Sequence, residues 1–208
     1  MQPKILKLAP SGVPIRWISL EDAAAKIFKE QHSNSVLWTL GDGAFKMRGG
    51  FNSLTGKRSV IDIPAIIAVS EAGSKGNNPM FAGFSADICK HREGMRCAYC
   101  GNSFNRSSLT LDHIIPKSKG GPLTMDNIVA SCLPCNNRKA DRTPEEANMP
   151  LLMKPFVPTM AEVMYMKGLS HMTDVQKEYL QAQFKHGELR NYFLNDFENE
   201  VLIKTNVA

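Results

Sequence analysis

The stretch that decides the fold begins Cys97-Ala-Tyr-Cys-Gly101. It continues through Leu109-Thr-Leu-Asp-His-Ile-Ile-Pro-Lys-Ser-Lys-Gly-Gly121 and closes on Asp126-Asn-Ile-Val-Ala-Ser-Cys-Leu-Pro-Cys-Asn-Asn-Arg-Lys-Ala-Asp-Arg142. Two Cys-x-x-Cys pairs, Cys97/Cys100 and Cys132/Cys135, stand 31 residues apart and bracket a β-rich segment carrying Asp112-His113. Structural zinc takes four ligands, usually thiolates paired two to four residues apart, and these four cysteines supply such a set. A redox Cys-x-x-Cys needs a single pair in a strand-to-helix context, so the duplication favours metal. A clamp of this kind holds an insert whose own core is too small to fold alone.

Leu109 to Ile115 reads as a strand, Lys117 to Pro122 as a loop, Asn127 to Ser131 as a return strand and Leu133 onward as a helix. That succession is a ββα unit stapled by metal. On an ideal strand Asp112 and His113 point to opposite sides, so a shared site requires the strand to end or bulge there, and Pro116 favours an early end. On the helix, Asn136 and Lys139 share a face and look toward the strand.

Such a set suits hydrolysis of a phosphodiester. His113 is the candidate base for water, Asp112 a candidate metal ligand, and Lys139 or Arg138 candidate phosphate contacts. Lys117 and Lys119 in the loop read either as further phosphate contacts or as solvated cations. Charge concentrates here: residues 90–142 hold nine Lys/Arg against four Asp/Glu, the whole +5 excess of a chain that is otherwise balanced. The field permits a polyanionic partner at this segment.

The motifs Asp112-His-Ile-Ile-Pro-Lys-Ser-Lys-Gly-Gly, Asp126-Asn-Ile-Val and Cys132-x-x-Cys-Asn-x-x-Lys resemble the HNH endonucleases, the ββα-metal nucleases. They are most similar to small stand-alone bacterial and phage members with four zinc cysteines and an Arg-Thr-Pro-Glu-Glu-Ala tail. The resemblance is close over residues 97–147. It implies His113 as general base, Asp112 as metal ligand, Asn127 as the asparagine that braces the loop and orients His113, and Asn136 at the position of the last histidine. Carboxylate and amide oxygens are hard donors, which favours Mg²⁺ or Mn²⁺ at the catalytic position, beside structural Zn²⁺. Asn137 is the alternative ligand, turned about 100° away on an ideal helix. The implied activity is cleavage of double-stranded DNA to 5′-phosphate and 3′-hydroxyl ends, and a homodimer would decide between nicking and double-strand cutting. The competing reading is a zinc-held nucleic-acid binding protein that does not cut.

The rest of the chain frames that unit. The expected architecture is α+β, with an N-terminal α+β region over 1–88, the nuclease unit over 89–149, and a Pro-rich strap with C-terminal helices over 150–208. In the first region Ile5 to Leu8 reads as a strand, and Ser19 caps a helix to about Glu30. Val36 to Leu40 reads as a strand returning through Gly41-Asp42-Gly43 into Ala44 to Met47, followed by an apolar stretch from Ser59 to Val69. His32 stands alone and reads as a surface or capping residue. Gly73 to Pro79 reads as an exposed loop, and Ser85 to Arg92 as a short helix bearing Cys89, a buried free thiol. Later helix starts fall at Thr143, Thr159 and Thr173, with a last helix over Glu188 to Leu202.

Five cysteines, four of them in close pairs, argue for metal in a reducing compartment rather than disulfides. Met1 to Ala9 lacks the apolar centre of a secretory leader, and no apolar run approaches bilayer length. The expected setting is the cytoplasm of a bacterial cell or phage-infected host, away from membranes.

Overall fold

Two runs in which every residue is buried, β1 (Ile5–Leu8) and β6 (Ile66–Val69), form the middle of a four-stranded sheet. They lie parallel, as strands covered on both faces do, with Lys7 the one charged side chain buried in β1. Partly exposed edges flank them: β2 (Pro14–Ile18) pairs antiparallel with β1, and β3 (Val36–Leu40) antiparallel with β6. The computed structural model describes residues 2–33, 36–70 and 80–185, and its architecture is α+β. Helix α1 (Leu20–Ser33), started by Ser19 Oγ accepting from the Asp22 amide at 3.0 Å, lays Ala23 and Ala24 on a core with Ile5, Ile18, Ile63 and Ile67.

Pro64 cannot donate to a ladder, and it divides the apolar stretch into β5 (Arg58–Ile63) and β6. The expected hairpin across Gly41-Asp42-Gly43 does not form. The turn exists, with Ala44 N–H donating to Gly41 O at 3.3 Å, but β3 leaves to join β6, while β4 (Phe45–Phe51) pairs with β5 in a separate two-stranded sheet. The wholly apolar β6 captures one strand, and the alternating β5 captures the other.

Contacts divide the chain into two compact units, and the first takes residues 1–80 and 160–184. Helices α4 (Met160–Gly168) and α5 (Asp174–Gln181) therefore belong with the N-terminal strands, whereas the sequence grouped them with the strap. Trp17 Nε1 donates to Met164 O at 3.1 Å, and Gln176 Nε2 donates to Lys4 O at 2.9 Å and Ala65 O at 2.7 Å. Thr173 and Gln176 form a complete capping box at the start of α5. The strap residues stay with the second unit, where Leu152 N–H donates to Ala98 O and Ala82 N–H to Pro158 O.

The second unit holds α2 (Ala86–Arg92), β7 (Leu109–His113), β8 (Ile128–Cys132) and α3 (Leu133–Lys139). Thr143 and Glu146 exchange the two bonds of a capping box, yet the segment stops after a single turn, because Asn148 adopts φ +53° ahead of Pro150. No helix among the described residues is long and apolar enough to cross a membrane. The expected loop at Gly73 to Pro79 and helix at Glu188 to Leu202 lie outside the described residues.

Arg92 pins this unit from within. Its side chain is wholly buried and donates to four acceptors: Glu93 Oε1, Met125 O, Ile128 O and Phe156 O. Helix α2, the loop before β8, β8 itself and the strap all meet at one guanidinium. Burial pushes the Glu93 carboxyl up to about 7 against the pull of Arg92. Cys89, beside this cluster, is buried with its thiol raised to about 11 by desolvation, which makes it an inert core residue. Arg92→Met should cost about 3–5 kcal/mol, the loss typical of removing one partner from a buried pair, measured by denaturant unfolding of the full chain.

Candidate functional site

The four paired cysteines converge. The sulfurs of Cys97, Cys100, Cys132 and Cys135 all lie within 4.8 Å of one another. A tetrahedral ion with metal–sulfur bonds of about 2.3 Å holds its ligands roughly 3.8 Å apart, so modest closure completes the set. Cys97 sits in a turn closed by Gly101 N–H donating to Cys97 O at 2.9 Å, with Gly101 at φ +74°. Cys132 ends β8, and Cys135 follows on the first turn of α3. Burial opposes ionisation of Cys97, yet the amides of Cys100, Cys132 and Tyr99 bring its thiol down to about 7. Burial and the neighbouring thiols push Cys135 upward. Four thiols this close cannot all ionise against one another unaided, and a divalent cation resolves that repulsion. The donor set therefore fits a thiophilic metal.

From this cluster run β7 and β8, paired antiparallel without a break from Leu109↔Cys132 to His113↔Ile128. The ladder ends at His113, so Asp112 and His113 reach one cleft by termination of the strand rather than by a bulge. The cleft is open, about 470 Å³, and lined by Asp112, His113, Lys117, Asn136, Asn137 and Asp141 among others.

Asp112 is nearly buried and held on both carboxylate oxygens. Tyr99 Oη donates to Oδ2 at 2.5 Å, and Lys139 Nζ lies 3.1 Å from both oxygens. Burial and the hydrogen bond to Asp112 raise the Tyr99 phenol, so it stays a donor. Lys139, expected at a phosphate, is instead wholly buried, and its third bond goes to His113 O at 2.6 Å. A buried ammonium needs acceptors on every side, and this strand supplies them. Lys119 is likewise engaged, by Glu146 at 2.5 Å, on the surface. Arg138 is exposed on α3 but does not line the cleft; Lys117 does.

Asn136, half-buried, donates Nδ2 to Thr110 Oγ1 at 3.0 Å and Leu111 O at 3.4 Å. Those bonds fix the amide and leave Oδ1 as its acceptor beside the cleft. Asn127 closes the loop between the strands. Its Oδ1 accepts from Ile115 N–H at 2.9 Å, while Nδ2 donates to Ile115 O at 3.2 Å and Pro122 O at 2.9 Å. Gly121 allows this closure: a Cβ there would lie 1.8 Å from Ile115 O and 2.9 Å from Asn127 Nδ2.

Two residues escaped the sequence reading. Tyr99, inside the first Cys-x-x-Cys, joins the thiol cluster to Asp112, and its only sequence signal is an aromatic between ligands that spacing does not explain. Thr110 anchors Asn136 and carries no signal beyond its place on a strand.

A two-stranded antiparallel ribbon, a crossing helix and four thiols close enough to share a metal ion define a ββα unit. Residues 97–152 match the family model for HNH endonuclease. Over 51 residues the chain is 39% identical to the CRISPR-associated endonuclease Cas9 of Corynebacterium diphtheriae, a match covering 24% of this chain and 5% of that relative. The chain thus shares only a short segment with this relative. No solved structure matches the chain.

Asn127→Ala removes three hydrogen bonds from the loop. It should cost about 1–3 kcal/mol, within the range for unsatisfied buried partners. Hydrogen exchange should accelerate at the Ile115 amide, while amides in the middle of β7 and β8 stay protected.

Proposed function

We propose that the chain is a metal-dependent DNA endonuclease that hydrolyses phosphodiester bonds with water activated by His113. The observation that carries this reading is the shared cleft, where an imidazole, a fixed carboxylate and a fixed amide oxygen open to solvent inside the segment that matches the HNH endonuclease model. The Corynebacterium relative is an endonuclease as well. A non-cutting binder would have no need to hold Asp112 from two sides beside a free imidazole.

In this reading Cys97, Cys100, Cys132 and Cys135 hold Zn²⁺ as a structural staple. Asp112 and Asn136 hold Mg²⁺ or Mn²⁺, which supplies Lewis-acid stabilisation of the phosphate and leaving oxygen. Tyr99 and Lys139 keep the Asp112 carboxylate in one orientation. Asn127 fixes the loop that follows His113, so the imidazole keeps its place at the strand end and takes the proton from water. The Lys139 ammonium also anchors the peptide at His113 O, in the residue that carries the imidazole. Lys117, exposed at the rim, is the cation best placed to meet a phosphate. Lys119 can do so only by releasing Glu146, an exchange that costs little at an exposed pair. The products are 5′-phosphate and 3′-hydroxyl ends on double-stranded DNA. A protein working on intracellular DNA with reduced thiolates fits the cytoplasm.

Incubation of plasmid with the zinc-loaded protein should give nicked or linear product with Mg²⁺ or Mn²⁺ and none without them. His113→Ala should lower the rate by about 10²–10⁴, the usual contribution of a general base, while the zinc content stays at one ion per chain. Full activity in His113→Ala would remove this residue from the base position. Failure of the wild-type chain to cut any DNA with any divalent ion would leave a zinc-held binding protein.

A further inference from the structure

The β4–β5 hairpin of the first unit is a sheet of its own, and its two faces differ. Phe45, Met47 and Ile61 turn to the core with Ile63. Lys46, Arg48, Val60 and Asp62 take the alternate positions, paired Lys46↔Asp62 and Arg48↔Val60. Past the register shift between Arg48 and Phe51 the alternation ends, and every residue from 51 to 60 is exposed.

That tip is ordered by its own bonds. Asn52 Oδ1 accepts from the amides of Leu54 and Thr55, both at 2.9 Å, and Asn52 N–H donates to Lys57 O at 2.8 Å. Arg58 Nε donates to Gly49 O at 3.0 Å, and its guanidinium stands 5.6 Å above the Phe51 ring. A Cβ at Gly49 would lie 2.3 Å from Ser59 Oγ, so a side chain there would turn that hydroxyl away from Gly50 O. A tip with satisfied backbone thus holds Leu54 94% exposed and Phe51 73% exposed. A single exposed apolar side chain is ordinary on a surface; two carried on one ordered tip among cations give a partner something to cover.

Charge selects the partner. Residues 45–63 carry Lys46, Arg48, Lys57 and Arg58 against Asp62 alone, and Asp62 lies 3.4 Å from Lys46. A cationic ribbon of two strands has the width of a nucleic-acid groove, and apolar tips between cations are the wedges that groove-binding proteins press against bases.

We propose that the β4–β5 hairpin is a second nucleic-acid contact of this chain, with Lys46, Arg48, Lys57 and Arg58 on duplex phosphates and the Leu54 tip against the base edges of a groove. The proposal rests on the endonuclease reading for its choice of duplex DNA. It assigns the hairpin to affinity and placement and leaves the bond-breaking step to the HNH domain.

The test uses the full, zinc-loaded chain carrying His113→Ala, so that DNA stays intact, and fluorescence anisotropy with a labelled duplex over a series of salt concentrations. Changing Lys46, Arg48, Lys57 and Arg58 together to Gln should weaken binding at least tenfold. The slope of log affinity against log salt should flatten by about 0.9 for each phosphate that is no longer neutralised. Leu54→Ser should weaken binding several-fold with the slope unchanged, which separates the wedge from the charges. Lys46, Arg48 and Lys57 are exposed, so changing those three alone should weaken binding in the same sense with thermal melting as in the parent, while Arg58→Gln also removes the tip bond to Gly49 O. If the parent binds duplex and both variants bind as it does with the same slope, the hairpin proposal is overturned and the endonuclease reading stands. If the parent binds no duplex, both fall.

Discussion

Four sulfur atoms set the origin of the site. The described residues of the second unit form two apolar clusters, and the larger includes two of the cysteines themselves, Cys97 and Cys132. The clamp fixes where β8 ends and α3 begins, because Cys132 closes the strand and Cys135 rides the first helical turn. From that fixed corner the remaining geometry follows by counting. The ladder that starts at Leu109↔Cys132 delivers His113 to the far end of the ribbon. Asn136 and Lys139, on the helix face that looks across β7, reach the backbone or side chains of Thr110 to His113. Tyr99 reaches Asp112 because it is carried on the opposite knuckle. Loss of the clamp would therefore release strand, helix and carboxylate together, which makes it a condition of the site and not an accessory.

Arg92 provides the complementary restraint from the other side of β8. Its guanidinium takes up the carbonyls of Met125, Ile128 and Phe156, so the loop ahead of β8 and the extended strap are bound to α2 by a residue with no part in the cleft. An extended segment with several prolines cannot dock through a ladder of its own amides. It docks here by offering Phe156 O to a buried cation, Pro158 O to the Ala82 amide and the Leu152 amide hydrogen to Ala98 O. The unit is thus closed by polar contacts at both ends of a short ribbon, where a larger domain would use apolar packing.

The clamp and the ββα order were legible because each depends on spacing, and spacing survives in a single sequence. Two Cys-x-x-Cys pairs need no tertiary information, and a strand that ends near a proline can be read locally. The sheet order was not legible. Whether Val36–Leu40 pairs with its sequence neighbour or with Ile66–Val69 depends on which edge offers the better apolar partner, a comparison of distant segments. The same limit hid the docking of α4 and α5 on the first unit, since Gln176 meets Lys4 and Ala65 across most of the chain. Thr143 was legible as a start, and Met149-Pro150 as an early stop; what stayed hidden is that Asn148 at φ +53° ends the segment within a single turn. A local start signal does not guarantee propagation: the costly first turn forms, and the backbone at Asn148 and Pro150 stops the next one.

Lys139 is where chemistry and fold part from simple pattern reading. A lysine four positions after a cysteine ligand, on a helix facing an Asp-His pair, reads naturally as a phosphate contact. Its burial changes the electrostatics of the cleft. The ammonium neutralises Asp112 before any cation arrives, and the remaining lining charges, Lys117 and Asp141, also cancel. A divalent ion entering such a cleft alone gains little from long-range attraction. Mg²⁺ commonly completes its shell with substrate phosphate oxygens and keeps several waters, relying on only one or two carboxylates from the protein. On the proposed reading, DNA phosphate would supply the negative charge that Lys139 offsets at Asp112, and a cation held by Asp112 and Asn136 would enter together with it. The buried lysine in that account sets the order of assembly by keeping the empty cleft uncharged, and its value lies in the contact it does not make with the backbone of the nucleic acid.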